Sequence, residues 1–159
     1  MNRTRWLSLA MAPALALGLQ LHAGSAVAKT DVCAIFKKHA PKDMGLALDK
    51  AVSATPEFCL AMSPTSRDTL LLRVSPSGSF TQQAVSGTRQ SKVNAGTNTS
   101  NEPALGAGAW STSSKEVVEI TFAVKENFVV VRLNRTAGLG SGDAEVARAF
   151  AKAVAGELR

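Results

Sequence analysis

Tyrosine is missing from this 159-residue chain, and aromatic residues of all kinds make up only 5% of it. Base-stacking platforms for single-stranded nucleic acid need such rings. The cations are also scattered rather than massed into one dense patch, so nucleic acid is set aside as a partner. Histidine occurs twice, at His22 and His39, and cysteine twice, at Cys33 and Cys59. Four such residues, two of them placed to pair with each other, do not make a zinc set, and no Cys-x-x-Cys marks a redox thiol. No metal or cofactor is expected.

Catalytic motifs are equally scarce. Ser141 has Leu139 and Asp143 where a nucleophile elbow needs glycines. The run Gly138-Leu139-Gly140-Ser141-Gly142 lacks the glycine at 143 that a dinucleotide fingerprint requires, and Asp143 puts a carboxylate where a phosphate would sit. The other carboxylates are dispersed, and His39 beside Lys37 and Lys38 reads as a solvated cation at a helix end. The chain is read as non-enzymatic.

Long apolar runs are confined to the first 28 residues. Arg3 and Arg5 precede an apolar stretch from Leu7 to Leu21, and Ala26-Val27-Ala28 is a small-x-small cleavage site. The stretch is shorter than the roughly 20 residues of a membrane-spanning helix. It reads as a cleavable signal peptide over 1–28, with the working chain starting at Lys29. No later segment suits a membrane span, so a periplasmic or secreted location is expected.

Removing the leader leaves 131 residues, one ordinary domain over 29–159. Two of the 18 basic residues leave with it and none of the 12 acids, so the remaining charge is +4. Two cysteines in an oxidising compartment are most simply one disulfide between Cys33 and Cys59.

The pattern of the working chain alternates helix and strand signals. Asp31 can cap a helix in which Val32, Ile35 and Phe36 share a face. Met44, Leu48 and Val52 recur every four residues and predict a second short helix ending before Pro56. Residues 57–63 and 69–75 read as strands joined by a Pro64 to Asp68 turn, with Leu70, Leu72 and Val74 on one face. A polar helix follows from Ser79, with Phe80, Ala84 and Val85 inward, and then an exposed, mobile loop over 94–103.

The clearest element is a hairpin of residues 117–125 and 128–135 around Glu126-Asn127. Pairing 125 with 128 sets Val124 against Val129, Phe122 against Val131 and Ile120 against Leu133, an apolar face. Asp143 or Ser141 can cap a last helix to Leu158, with Val146, Phe150, Val154 and Leu158 inward. This order gives an α+β domain with a mostly antiparallel sheet covered by helices.

The best candidates for a contact surface are Arg89, Lys92, Asn98, Asn101 and Trp110, around the polar loop. Trp110 is either an exposed anchor there or part of the core.

Cys33-Ala-Ile-Phe, the second cysteine at Cys59, the Leu-Gly-Ala-Gly-Ala-Trp segment at 105–110, the hairpin and the Ala-Arg-Ala-Phe-Ala-Lys helix at 147–152 carry a resemblance. The chain resembles small exported bacterial proteins of unknown function, among them actinobacterial lipoproteins, whose domains are similar to the PsbP-type α/β/α sandwich. This chain lacks their lipid-acceptor cysteine. The resemblance implies a fold and an envelope location, without catalytic residues.

The expected function is binding of an envelope protein or envelope component through the loop-rich end. Two alternatives stand beside it: a carrier of a small apolar ligand held between the sheet and the last helix, or an inhibitor or immunity protein for an exported enzyme.

Overall fold

Six strands in the order β1-β2-β6-β5-β4-β3 form one antiparallel sheet in the computed structural model, which describes residues 30–53 and 55–159. They are β1 (Phe58–Met62), β2 (Thr69–Pro76), β3 (Ser100–Asn101), β4 (Trp110–Ser113), β5 (Val117–Val124) and β6 (Asn127–Asn134). Three helices join them: α1 (Val32–His39), α2 (Thr81–Asn94) and α3 (Asp143–Leu158). The expected leader, 1–28, lies outside the described residues. The α+β class is as the sequence predicts.

Side chains alternate across a strand, so each strand feeds two faces. One face carries Cys59, Ala61, Leu70, Leu72 and Val74, together with Val118, Ile120, Phe122, Val129, Val131 and Leu133, all buried. Helices α1 and α3 cover this face, and their Phe36 and Phe150 rings meet edge to face at 5.6 Å. Helix α2 lies on the opposite face, over β5 and β6.

Local signals explain most of the elements. The Asp31 carboxylate accepts from the Ala34 N–H at 2.9 Å, capping α1 as the sequence predicts, and three basic residues occupy its last turn. The Cys33–Cys59 disulfide ties α1 to β1. Helix α3 buries Ala147, Phe150, Ala151, Val154, Ala155 and Leu158.

Several expectations are corrected. The predicted helix before Pro56 is reduced to a single 3-10 turn at Leu48–Lys50. Residues 47–52 instead run along the outer edge of β1, where the Ala47 N–H donates to the Met62 carbonyl and Val52 exchanges two hydrogen bonds with Leu60. Satisfying the open edge of a sheet outweighs a weak helical period.

The hairpin turns at Lys125-Glu126, two residues away from the predicted register. Phe122 faces Val129, Ile120 faces Val131 and Val118 faces Leu133. A slide of two preserves which face each residue occupies, so the apolar face survives while every partner changes. The Glu126 carbonyl, accepting from Ser77 and Gly78 N–H groups, fixes the turn from outside the hairpin.

Phe80 is 69% exposed rather than inward, and Thr81 and Val85 are the residues that α2 buries. The predicted loop ends at Thr99, because Ser100 and Asn101 pair with Ser111 and Trp110. Neither Asp143 nor Ser141 caps α3. The Asp143 carboxylate accepts instead from Gly140 N–H and from the Arg135 guanidinium.

Candidate functional site

Helix α2 covers only part of its face of the sheet. Beside it, cross-strand partners place Phe58, Arg73, Val130, Thr121 and Trp110 in one row, with Leu60, Leu71, Arg132 and Glu119 in the next. Phe128 stands in the adjoining row, beside Ser75 and Ala123. Between α2 and residues 55–58 this surface opens as a groove of about 710 Å³. That volume lies within the range of small-molecule sites.

The floor is apolar. Phe58, Leu71, Phe128 and Val130 are half-buried there rather than sealed under a helix. Thr88 of α2 forms one wall, and Thr55, Pro56 and Glu57 form the other. Trp110 closes the inner end beneath α2. Its indole N–H donates to the Val85 carbonyl at 3.0 Å, which satisfies the one polar atom of a fully buried ring.

Two cations interrupt this floor, Arg73 between Phe58 and Val130 and Arg132 between Leu71 and Glu119. Arg73 and Arg132 are diagonal neighbours on β2 and β6, a spacing of about 7–8 Å in an antiparallel pair. The Arg73 Nε donates to Ser75 Oγ at 2.9 Å, and among the described residues Arg73 makes no ion pair. Arg132 stands 3.9 Å from Glu119, too far for a hydrogen bond, while Lys92 of α2 takes Glu119 at 3.0 Å. The lining thus holds two cations, Arg73 and Arg132, and two carboxylates, Glu57 and Glu119, of which Glu119 is engaged by Lys92.

The residues marked out by the sequence fare differently. Arg89 donates to Thr99 Oγ1 at 3.2 Å and Lys92 is paired with Glu119, so both brace α2. Asn98 and Asn101 are exposed on the segment that follows α2. Trp110 is core, not a protruding anchor, because β4 carries it under α2. Phe36, Phe150 and Val154 pack between the sheet and α3, with the Phe36 and Phe150 rings 5.6 Å apart.

Sequence reasoning passed over Phe58, Leu71, Arg73, Phe128, Val130 and Arg132. The available signal was apolar character on both faces: Leu70-Leu71-Leu72 and Phe128 to Val131 leave no polar side for solvent.

Other clusters are structural. Arg135 binds Asp143 at 3.0 Å, Asp68 at 3.3 Å and the Met44 carbonyl at 3.0 Å, joining four segments at one end of the sheet. Burial works against its charge, but Asp143 and Asp68 raise its pKa further. The Thr136 backbone N–H, with help from Ser66, Thr136 and Arg135 side chains, holds the Asp68 carboxyl below its ordinary range against desolvation. Glu102 is buried and accepts from Ser111 and Arg148, fastening the turn before β4 to α3. Lys38, and after it His39, lowers the pKa of Glu157.

Among the described residues no three His, Cys, Asp or Glu side chains converge as a metal site would require, and no helix is long and apolar enough to cross a membrane. No protein-family model, curated protein or solved structure matches this chain.

Proposed function

We propose that residues 29–159 form an exported, non-enzymatic binding protein that carries a small apolar ligand in the groove beside α2. The observation that carries this reading is the floor of Phe58, Leu71, Phe128 and Val130, left half-open in about 710 Å³ of space. Burying such a floor under a ligand is favourable in proportion to the apolar area removed from water. Export is supported by the leader pattern of 1–28 and by the Cys33–Cys59 disulfide, a bond typical of oxidising compartments.

This reading puts recognition at the groove rather than at the loop-rich end. Arg89 and Lys92 are occupied in bracing α2.

The test is a titration of delipidated protein with the neutral apolar probe N-phenyl-1-naphthylamine. Trp110 is the only tryptophan after residue 28, no tyrosine competes with it, and it borders the groove, so its emission reports occupancy. Saturable probe binding that Leu71→Gln and Val130→Glu weaken, with a raised Tm in the unaltered protein, is expected. Binding that ignores both substitutions, or no binding, overturns the reading.

A further inference from the structure

We propose that the ligand of this groove is a single-chain amphiphile with an anionic head, held at Arg73 and Arg132 while its apolar chain lies on Leu71, Phe128 and Val130. The inference rests on the groove being the binding site, and it names the chemistry of the occupant.

Two cations on adjacent strands, diagonal to each other on one face, repel unless a negative charge lies between or above them. Within the protein that charge is incomplete. Glu119 stands directly opposite Arg132 but gives its close contact to Lys92, at 3.0 Å against 3.9 Å. Arg73 has a hydroxyl partner, Ser75, and no carboxylate within 4.0 Å among the described residues. The guanidinium forks therefore retain donors for a planar or tetrahedral anion, which arginine binds in bidentate fashion.

The same geometry speaks against a peptide strand as occupant. Peptides that add to a sheet need an open edge for main-chain hydrogen bonds, and the β1 edge nearest the groove is already taken by Ala47 and Val52. The groove lies on a sheet face, where side chains alone make contact. An apolar body with one charged end matches an apolar floor that carries a diagonal pair of arginines, with Phe128, Val130 and Leu71 beside them for the chain.

The experiment compares dodecanoate with dodecanol on the delipidated protein at low ionic strength, read by Trp110 fluorescence and by native mass spectrometry. Dodecanoate is expected to bind at least tenfold more tightly. Arg73→Gln and Arg132→Gln should each remove most of that difference while leaving dodecanol binding unchanged, and Arg73→Lys should restore part of it. Added salt should narrow the gap. Equal binding of acid and alcohol, or an acid preference untouched by both glutamine variants, overturns the anionic head but leaves the groove standing. Failure of both compounds to bind folded protein overturns the groove as well. Both arginines sit at solvent-exposed positions, and circular dichroism confirms folding of each variant.

Discussion

The indole N–H of Trp110 reaches across 25 residues of chain to the Val85 carbonyl, at 3.0 Å, and so fixes α2 against β4 and β5. This bond sets the inner wall of the groove. Without it α2 would keep only Val85 and Thr81 as buried anchors, since Phe80 and Val93 face solvent.

Trp110→Phe keeps most of the ring and deletes the donor. A loss of about 1 kcal/mol is expected, the net value of a typical buried hydrogen bond. Urea unfolding followed by circular dichroism measures it. Trp110→Ala should cost about 3–5 kcal/mol through the cavity it leaves. A loss below the first figure in both variants would mean that α2 is held by something else.

The disulfide closes a loop between residues 26 apart and joins α1 to β1. The chain-entropy relation gives about 3.5 kcal/mol for a loop of this length. Cys33→Ala combined with Cys59→Ala should lower stability by roughly that amount, and reductant should do the same to the unaltered protein and nothing to the variant. Equal unfolding midpoints with and without reductant would refute it.

Stability should fall in acid through two carboxylates. Asp68 and Glu157 both titrate below their ordinary values of 3.8 and 4.5, the first held chiefly by the Thr136 backbone N–H and the second chiefly by Lys38. A depressed carboxylate stabilises the fold above its unfolded value, and that contribution disappears as pH falls through the folded one. Urea midpoints should therefore stay level at mildly acidic pH and drop below about pH 4. Asp68→Asn should remove about 1–2 kcal/mol at neutral pH and flatten the acid limb. A variant with the slope of the parent would sink this assignment.

Lys125 opens the hairpin turn with a φ of 50°, a left-handed conformation that side chains disfavour. Lys125→Gly should stabilise the protein by about 0.5–1 kcal/mol, the strain relieved less the added freedom of the unfolded glycine. Thermal unfolding provides the measurement. Destabilisation would show that the lysine side chain contributes more than its backbone costs.

How much was legible in the sequence differs by element. The Asp31 cap, the apolar stripe of α3 and the alternation of β2, β5 and β6 are written in residues close together in the chain, and each appears as expected. The four-residue spacing of 41–52 predicts a helix, but it competes with a sheet edge that no local pattern reveals. The hairpin register differs by two residues from the expected one because alternation fixes faces and leaves even-numbered slides nearly equivalent.

The groove was the hardest to see. Its floor takes Phe58, Leu71 and Val130 from three strands, and its wall comes from α2. In sequence these positions are ordinary strand residues, and Arg73 and Arg132 are 59 positions apart.

Residue order alone dictates which side chains must be buried together, an antiparallel sheet flanked by helices, and two cysteines free to pair. Those are consequences of period and composition, which act over a few residues. Only the assembled sheet leaves α2 short of covering its face, sets Trp110 beneath it and makes Arg73 and Arg132 diagonal neighbours among apolar residues. These depend on which strands become neighbours, and strand order is set by the packing of the whole chain.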